Sequence, residues 1–144
     1  MNTERAGQGG SAPSFEELSP AECRSLLAEA TIGRVGWTAS DGVFILPVTF
    51  LVRDDTIAFR TAPYGRLAQL VTPTPVAFQV DELDIAQRLG SSVLVQGTTH
   101  GAQVSGWDDG WRLEDVQPWA DGTRNVFIEI KIDTISGRAF RRRR

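Results

Sequence analysis

Four residues in one short stretch have types and spacing that could do chemistry: Arg60, Thr61, Gly65 and Arg66, within FRTAPYGRL. Two guanidinium forks and a hydroxyl, with a glycine that lets backbone approach closely, match the needs of a phosphomonoester. Arginines at the end of a strand are also ordinary surface residues. On these residues alone both readings stand, an anion site and a solvated strand end.

The other candidate chemistries are poorer. His100 stands alone near a strand end, with no serine or cysteine motif that would make it a triad base. Asp81, Glu82 and Asp84 could pair as carboxylates, but an acidic, solvated connection explains them better. The chain contains neither GxGxxG nor a Walker loop, so no dinucleotide or P-loop fingerprint is present. A single cysteine, Cys23, permits no internal disulfide, and with one histidine it leaves little for a metal cluster. Cys23 falls on an apolar helical stripe and reads as a small core residue.

These residues need a scaffold, and 144 residues suit one domain. Hydrophobic residues at 41% and charged residues at 23% are the balance of a water-soluble fold. No apolar run approaches the roughly 20 residues that a spanning helix requires. Nothing in MNTERAGQGGSAPS marks the chain for export, so the cytoplasm is the expected compartment. A net charge of −3 argues against general nucleic-acid binding, although the chain ends in FRRRR. That run reads as a solvated basic tail, residues 141–144. Residues 1–14 read as a mobile, disordered N-terminal segment and 15–140 as the folded domain.

Order is expected from Phe15. Ser19, Pro20, Ala21 and Glu22 spell a capping box with proline in the first turn, and Cys23, Leu26, Leu27 and Ala30 continue it as a helix. From Thr31 the period changes to alternation, with Val35, Trp37 and Ala39 on one face. Ser40–Gly42 turns the chain into the apolar run Val43–Val52, and Arg53–Asp55 turns it again into Thr56–Thr61, giving an antiparallel meander. Pro47 cannot donate to a ladder, which places it at an edge, a bulge or an opening where a ligand could lie against backbone. A short helix or turn follows over Tyr64–Val71, then strands at Val76–Val80, Ser92–Thr99 and Val126–Ile132, with Gly90 supplying a turn. The segment Gly106–Gly122 holds three of the four tryptophans and reads as a lid, a subunit contact or core packing. Six strands and one helix predict a mainly β fold, an antiparallel barrel with flanking helix.

Several segments, taken in order, resemble a known family. They are LSPAECRSLLAEATIGRVGW, the strand pair carrying PVTF and FRTAPYGRL, VAFQVDELD before GSSVLVQG, and PWADGTRNVFIEIKIDTISGR. From Leu18 to Phe140 the chain resembles the pyridoxamine 5′-phosphate oxidase-like flavin-binding proteins, in particular the small single-domain members. The resemblance implies a six-stranded split barrel, FMN-binding type, working as a homodimer with FMN at the subunit interface. It implies backbone of Pro47, Val48 and Thr49 along the isoalloxazine ring, and Arg60, Thr61 and Arg66 on the phosphate. Gly65 and Leu67 would shape the phosphate loop, Ser92 would reach the flavin from the neighbouring chain, and Trp119 would close the pocket there.

Many relatives carry a lysine in or just after the phosphate loop, where this chain has Arg66 followed by Leu67, and often a tryptophan where it has Ser91. The C-terminal arginine segment of the vitamin-oxidising enzymes has no recognisable counterpart, so vitamin oxidation is not implied. What is implied is an FMN-dependent oxidoreductase with a small-molecule redox substrate. A deazaflavin-dependent reductase, and a non-catalytic flavin or haem carrier or sensor, are the alternatives on the same fold.

Overall fold

The computed structural model describes residues 12–102 and 126–142. Eight strands and one α-helix follow in order: β1 (Pro13–Glu17), α1 (Pro20–Glu29), β2 (Ile32–Ala39), β3 (Gly42–Thr49), β4 (Leu51–Arg53), β5 (Thr56–Thr61), β6 (Pro75–Asp84), β7 (Leu89–Ala102) and β8 (Val126–Arg142). A 3-10 helix, Arg66–Val71, lies between β5 and β6. The strands form one antiparallel sheet in the order β3-β2-β6-β7-β8-β5-β4, with β1 added to β8.

The two ends of that order are one piece of chain. β3 pairs with β2, β4 pairs with β5, and only Phe50 separates β3 from β4. Phe50 turns its ring into the core, 5% exposed and edge-on to Phe78 with centroids 4.9 Å apart. The break at Phe50 thus brings the sheet round on itself as a split barrel. The expected count of six needs correction to eight among the described residues. The run Val43–Val52 is two strands because Phe50 leaves the ladder to fill the core, and β1 joins from a segment that has no strand pattern of its own.

Alternation sets the interior. Val35 and Trp37 on β2, Phe59 on β5, Phe78 on β6, Val95 on β7 and Ile128 and Ile130 on β8 are all at most 5% exposed. Burying such side chains contributes about 1.5–3 kcal/mol each. A bulge between Gln96 and Gly97 shifts the β7–β8 register, and a side chain at Gly97 would collide with the Lys131 carbonyl, so the bend requires glycine.

The capping box forms as expected. Ser19 Oγ accepts from the Glu22 amide at 3.1 Å, and Glu22 Oε1 accepts from the Ser19 amide at 2.9 Å. Cys23 and Leu27 are buried, and Arg24 ties the helix to the β4–β5 turn through Asp55 at 2.8 Å. Burial raises the Cys23 thiol pKa, in keeping with a core residue. Arg141 is clamped by Glu16 at 2.8 Å and Glu22 at 3.4 Å, fastening the far end of β8 to β1 and α1.

Two further expectations change. Asp81, Glu82 and Asp84 are not a connection but the outer half of β6, paired with Ser92, Ser91 and Leu89. The β6–β7 turn falls at residues 85–88 with Arg88 at φ 59°, while Gly90 lies inside β7. The expected short helix or turn over Tyr64–Val71 is present as the 3-10 helix Arg66–Val71.

Candidate functional site

Ile57 and Phe59 on β5 face inward against Ile130 and Ile128, which turns Thr61 inward as well and sets Arg60 on the opposite side, beside Phe127. Thr61 is 7% exposed and Arg60 is half-buried. Arg60 Nε is buried and has no hydrogen-bond partner among the described residues. A buried donor on a charged group left without a partner costs at least about 1–3 kcal/mol, so a polar ligand is favoured there.

After Thr61 the chain makes a tight turn in which the Gly65 amide donates to the Ala62 carbonyl at 3.5 Å, with Tyr64 fully out in solvent. The Ala68 amide then donates to the Gly65 carbonyl at 3.1 Å, and Leu70 anchors the 3-10 helix in the core. Gly65 has an ordinary extended φ of −84°, and the nearest atom to an added side chain would be 4.0 Å away. Its value at this place is open space beside the backbone rather than an unusual conformation. Leu67 is half-buried and packs on the core.

Arg66 is held. Its guanidinium donates twice to Asp41, at 3.1 Å and 3.0 Å, and lies 3.9 Å from the centroid of Phe44. Phe44 in turn rests on Trp37, centroids 5.8 Å apart. This stack ties the loop after β5 to the β2–β3 hairpin. Asp41 carries no sequence signal beyond its place in a turn, because its partner is 25 residues away.

The same hairpin carries Pro47, Val48 and Thr49. Pro47 points outward opposite Arg34, Val48 points inward at 8% exposure opposite Gly33, and Thr49 is half-buried opposite Ile32. β3 ends the sheet order, so Pro47 occupies an edge strand, as its missing N–H requires.

Ser92 lies elsewhere. It pairs with Asp81 and Arg138, whereas Arg60 pairs with Phe127. Phe127 and Arg138 are eleven residues apart on β8, roughly 35 Å measured along the strand. One chain therefore gathers Arg60, Thr61, Gly65, Arg66 and Leu67, and joins them to the hairpin of Pro47–Thr49, while Ser92 lies eleven β8 positions from the partner of Arg60. Trp119 lies outside the described residues. His100 is an exposed residue of β7 opposite Glu129.

Beside Ser92, Arg34 donates to Gln79 at 3.3 Å and faces Asp81 at 3.6 Å, and Gln79 donates to Asp81 at 3.3 Å. Sequence reasoning did not single out Arg34, whose place opposite Pro47 is set by strand register. Among the described residues no three His, Cys, Asp or Glu side chains are grouped to hold a metal ion, and no helix is long and apolar enough to cross a membrane.

A family model described as pyridoxamine 5′-phosphate oxidase matches residues 19–139. An uncharacterized protein of Mycobacterium tuberculosis is 29% identical over 133 residues, covering 88% of this chain and 86% of its own length. The FAD binding protein from Mycobacterium smegmatis superposes with a TM-score of 0.67 at 26% identity, over 89% of this chain and all of that one. An FAD-binding protein from Mesorhizobium loti shares the fold, with a TM-score of 0.72 at 22% identity, covering 90% of this chain and 98% of that one.

Proposed function

The chain belongs to the pyridoxamine 5′-phosphate oxidase family, and from that premise we propose that it is an FMN-binding oxidoreductase that works as a homodimer on a small redox substrate. The observation that carries the cofactor assignment is the buried, unpartnered Nε of Arg60 beside the buried Thr61. A phosphate oxygen satisfies that donor. Arg66 adds a second guanidinium, and the space beside Gly65 admits the phosphate against backbone.

The bound flavin supplies the hydride or electron transfer. The chain's own part is positional. The edge strand β3 offers the backbone of Pro47 and Val48 to the ring, and the inward anchor of Val48 in the core fixes that backbone in place. This division of labour accords with the poor acid–base inventory noted above.

In the homodimer Ser92, which lies eleven β8 positions from the partner of Arg60, would meet the flavin of the second copy, as the family resemblance implies. The outer face of β3 supports the dimer, with Val43 at 79% and Ile45 at 64% exposure side by side on the surface.

FAD in place of FMN is the second reading, and one observation favours it. Asp41 already offsets the charge of Arg66. A phosphodiester carries one negative charge per phosphate, against about −1.5 to −2 on a monoester, and so demands less of the loop. Titration of the purified protein with FMN, FAD and riboflavin, followed by flavin fluorescence, tests both readings. FMN is expected to bind at least tenfold tighter than riboflavin. Equal affinity for riboflavin would remove the phosphate assignment, and FAD binding tighter than FMN would select the second reading. Anaerobic reduction by a nicotinamide or deazaflavin donor, followed by turnover of an acceptor, separates an enzyme from a carrier.

A further inference from the structure

The outer ends of β6, β7, β8 and β1 carry a row that the cofactor assignment does not use. Leu83 pairs with Gly90, Gly90 with Phe140, and Phe140 with Phe15, so four positions in register cross the sheet on its outward face. Leu83 is 61% exposed and Phe15 65% exposed, and the two phenyl rings lie 4.9 Å apart, tilted by 50°. Gly90 forms the floor. A side chain there would come within 2.7 Å of Leu83 Cδ2 and 3.0 Å of the Glu82 carbonyl, so the row stays concave only with glycine.

With Ile85 and Leu89 on the hairpin and Ser91 and Ser92 on β7, these residues line a groove of about 510 Å³ that is largely open to solvent. Arg88 and Arg138 stand on its rim. Arg138 lies 4.9 Å over the Phe15 ring, and among the described residues neither arginine has a carboxylate within 4.0 Å. The two carboxylates on the rim are committed elsewhere, Asp81 to Arg34 and Gln79 and Asp84 to the Gln87 amide. An apolar trough lined by aromatic rings, with uncommitted guanidinium groups and occupied acids, suits a flat apolar ligand that carries one anionic group.

We propose that this groove binds an aromatic carboxylate, and that such a molecule is the class of substrate presented to the flavin. The binding itself stands on the groove alone. Its position beside the cofactor rests on the functional reading above, because Ser92, which pairs with Arg138, is the residue assigned to the partner's flavin.

Calorimetric titration with 2-naphthoate, and with 2-naphthamide as its neutral counterpart, tests the proposal on the full chain with and without bound flavin. Saturable 2-naphthoate binding is expected in both forms. Arg138→Gln should weaken 2-naphthoate tenfold or more, the scale of one charge-assisted hydrogen bond, and leave 2-naphthamide within about twofold. Leu83→Glu, an exposed change that should spare the fold, is expected to abolish both. Absence of saturable 2-naphthoate binding to the wild-type protein would overturn the proposal, as would an equal loss of both ligands in Arg138→Gln. Retained 2-naphthoate binding in a protein that takes up no flavin would support the groove and sink only the cofactor reading.

Discussion

Arg66 and Asp41 form a two-bond fork between the loop after β5 and the turn of the β2–β3 hairpin, at 3.1 Å and 3.0 Å, with the Arg66 guanidinium laid on Phe44. Asp41 therefore does two opposed things. It positions Arg66, and it cancels much of the charge that Arg66 would bring to a phosphate. Replacing Asp41 by Asn should raise FMN affinity relative to riboflavin by about threefold to tenfold, with a stability loss under about 1 kcal/mol because the pair is largely exposed. Fluorescence titration with the two flavins measures it, and an unchanged ratio would mean that Arg66 does not meet the phosphate.

Arg60 makes the opposite case, a guanidinium whose buried Nε has no hydrogen-bond partner among the described residues. Arg60→Met keeps the apolar stem and removes the orphan donor. The flavin-free protein should be as stable as the wild type or slightly more so, while FMN binding falls at least tenfold and riboflavin binding stays within about twofold. Thermal unfolding and parallel titrations give the two readouts. A large fall in stability without ligand would assign Arg60 to the fold rather than to an anion.

Ile45 faces outward on the edge strand, next to Val43 and two residues from Pro47. If that face meets a second copy, Ile45→Glu buries a charge at the contact and should convert the dimer to monomer in sedimentation experiments. Flavin binding should fall with it, since Ser92 would then have no partner's flavin to meet. A wild-type protein that sediments as a monomer at micromolar concentration would defeat the proposal directly.

Glu22 has a carboxyl held below its ordinary value of 4.5, chiefly by the hydrogen bond from the Ser19 amide and also by Arg141. A lowered folded pKa means that its contribution is present above about pH 4.5 and is lost as the pH falls through the folded value. Glu22→Gln should therefore lower Tm at pH 7, and the gap from wild type should close as the pH falls below 4.5 and through the lowered folded value. A gap that is constant with pH would show that the charge of Glu22 contributes nothing.

The local part of this design was legible in the residues. The capping box at Ser19 and Glu22, the buried Cys23, and the alternation through Val35 and Trp37 and through Val76, Phe78 and Val80 all follow from spacing and side-chain type, and the structure bears each of them out, while of the edge, bulge or opening expected for Pro47 it shows the edge. The segments quoted for the family resemblance fall almost wholly within the matched residues 19–139. Where the reading missed, the cause was a contact distant in sequence. Asp81–Asp84 looked like a loop because acids rarely pattern as a strand, yet pairing with β7 holds them in one. Gly90 looked like a turn, but its missing side chain serves the approach of Leu83.

Sequence by itself thus determined the capped helix, the strands with strict alternation and their inward faces, and which residues could hold an anion, because these depend on neighbours a few positions away. Tertiary structure decided what those residues can do together. Phe50 left its strand to fill a core built by Phe78. β1 found its partner in β8, more than 120 residues on. Asp41 took hold of Arg66 while Arg60 Nε was left without a partner among the described residues, and register along β8 set Ser92 eleven positions from the partner of Arg60. Each of those outcomes depends on which strands lie side by side, and it is the closing of the sheet, not the pattern within any strand, that sets this.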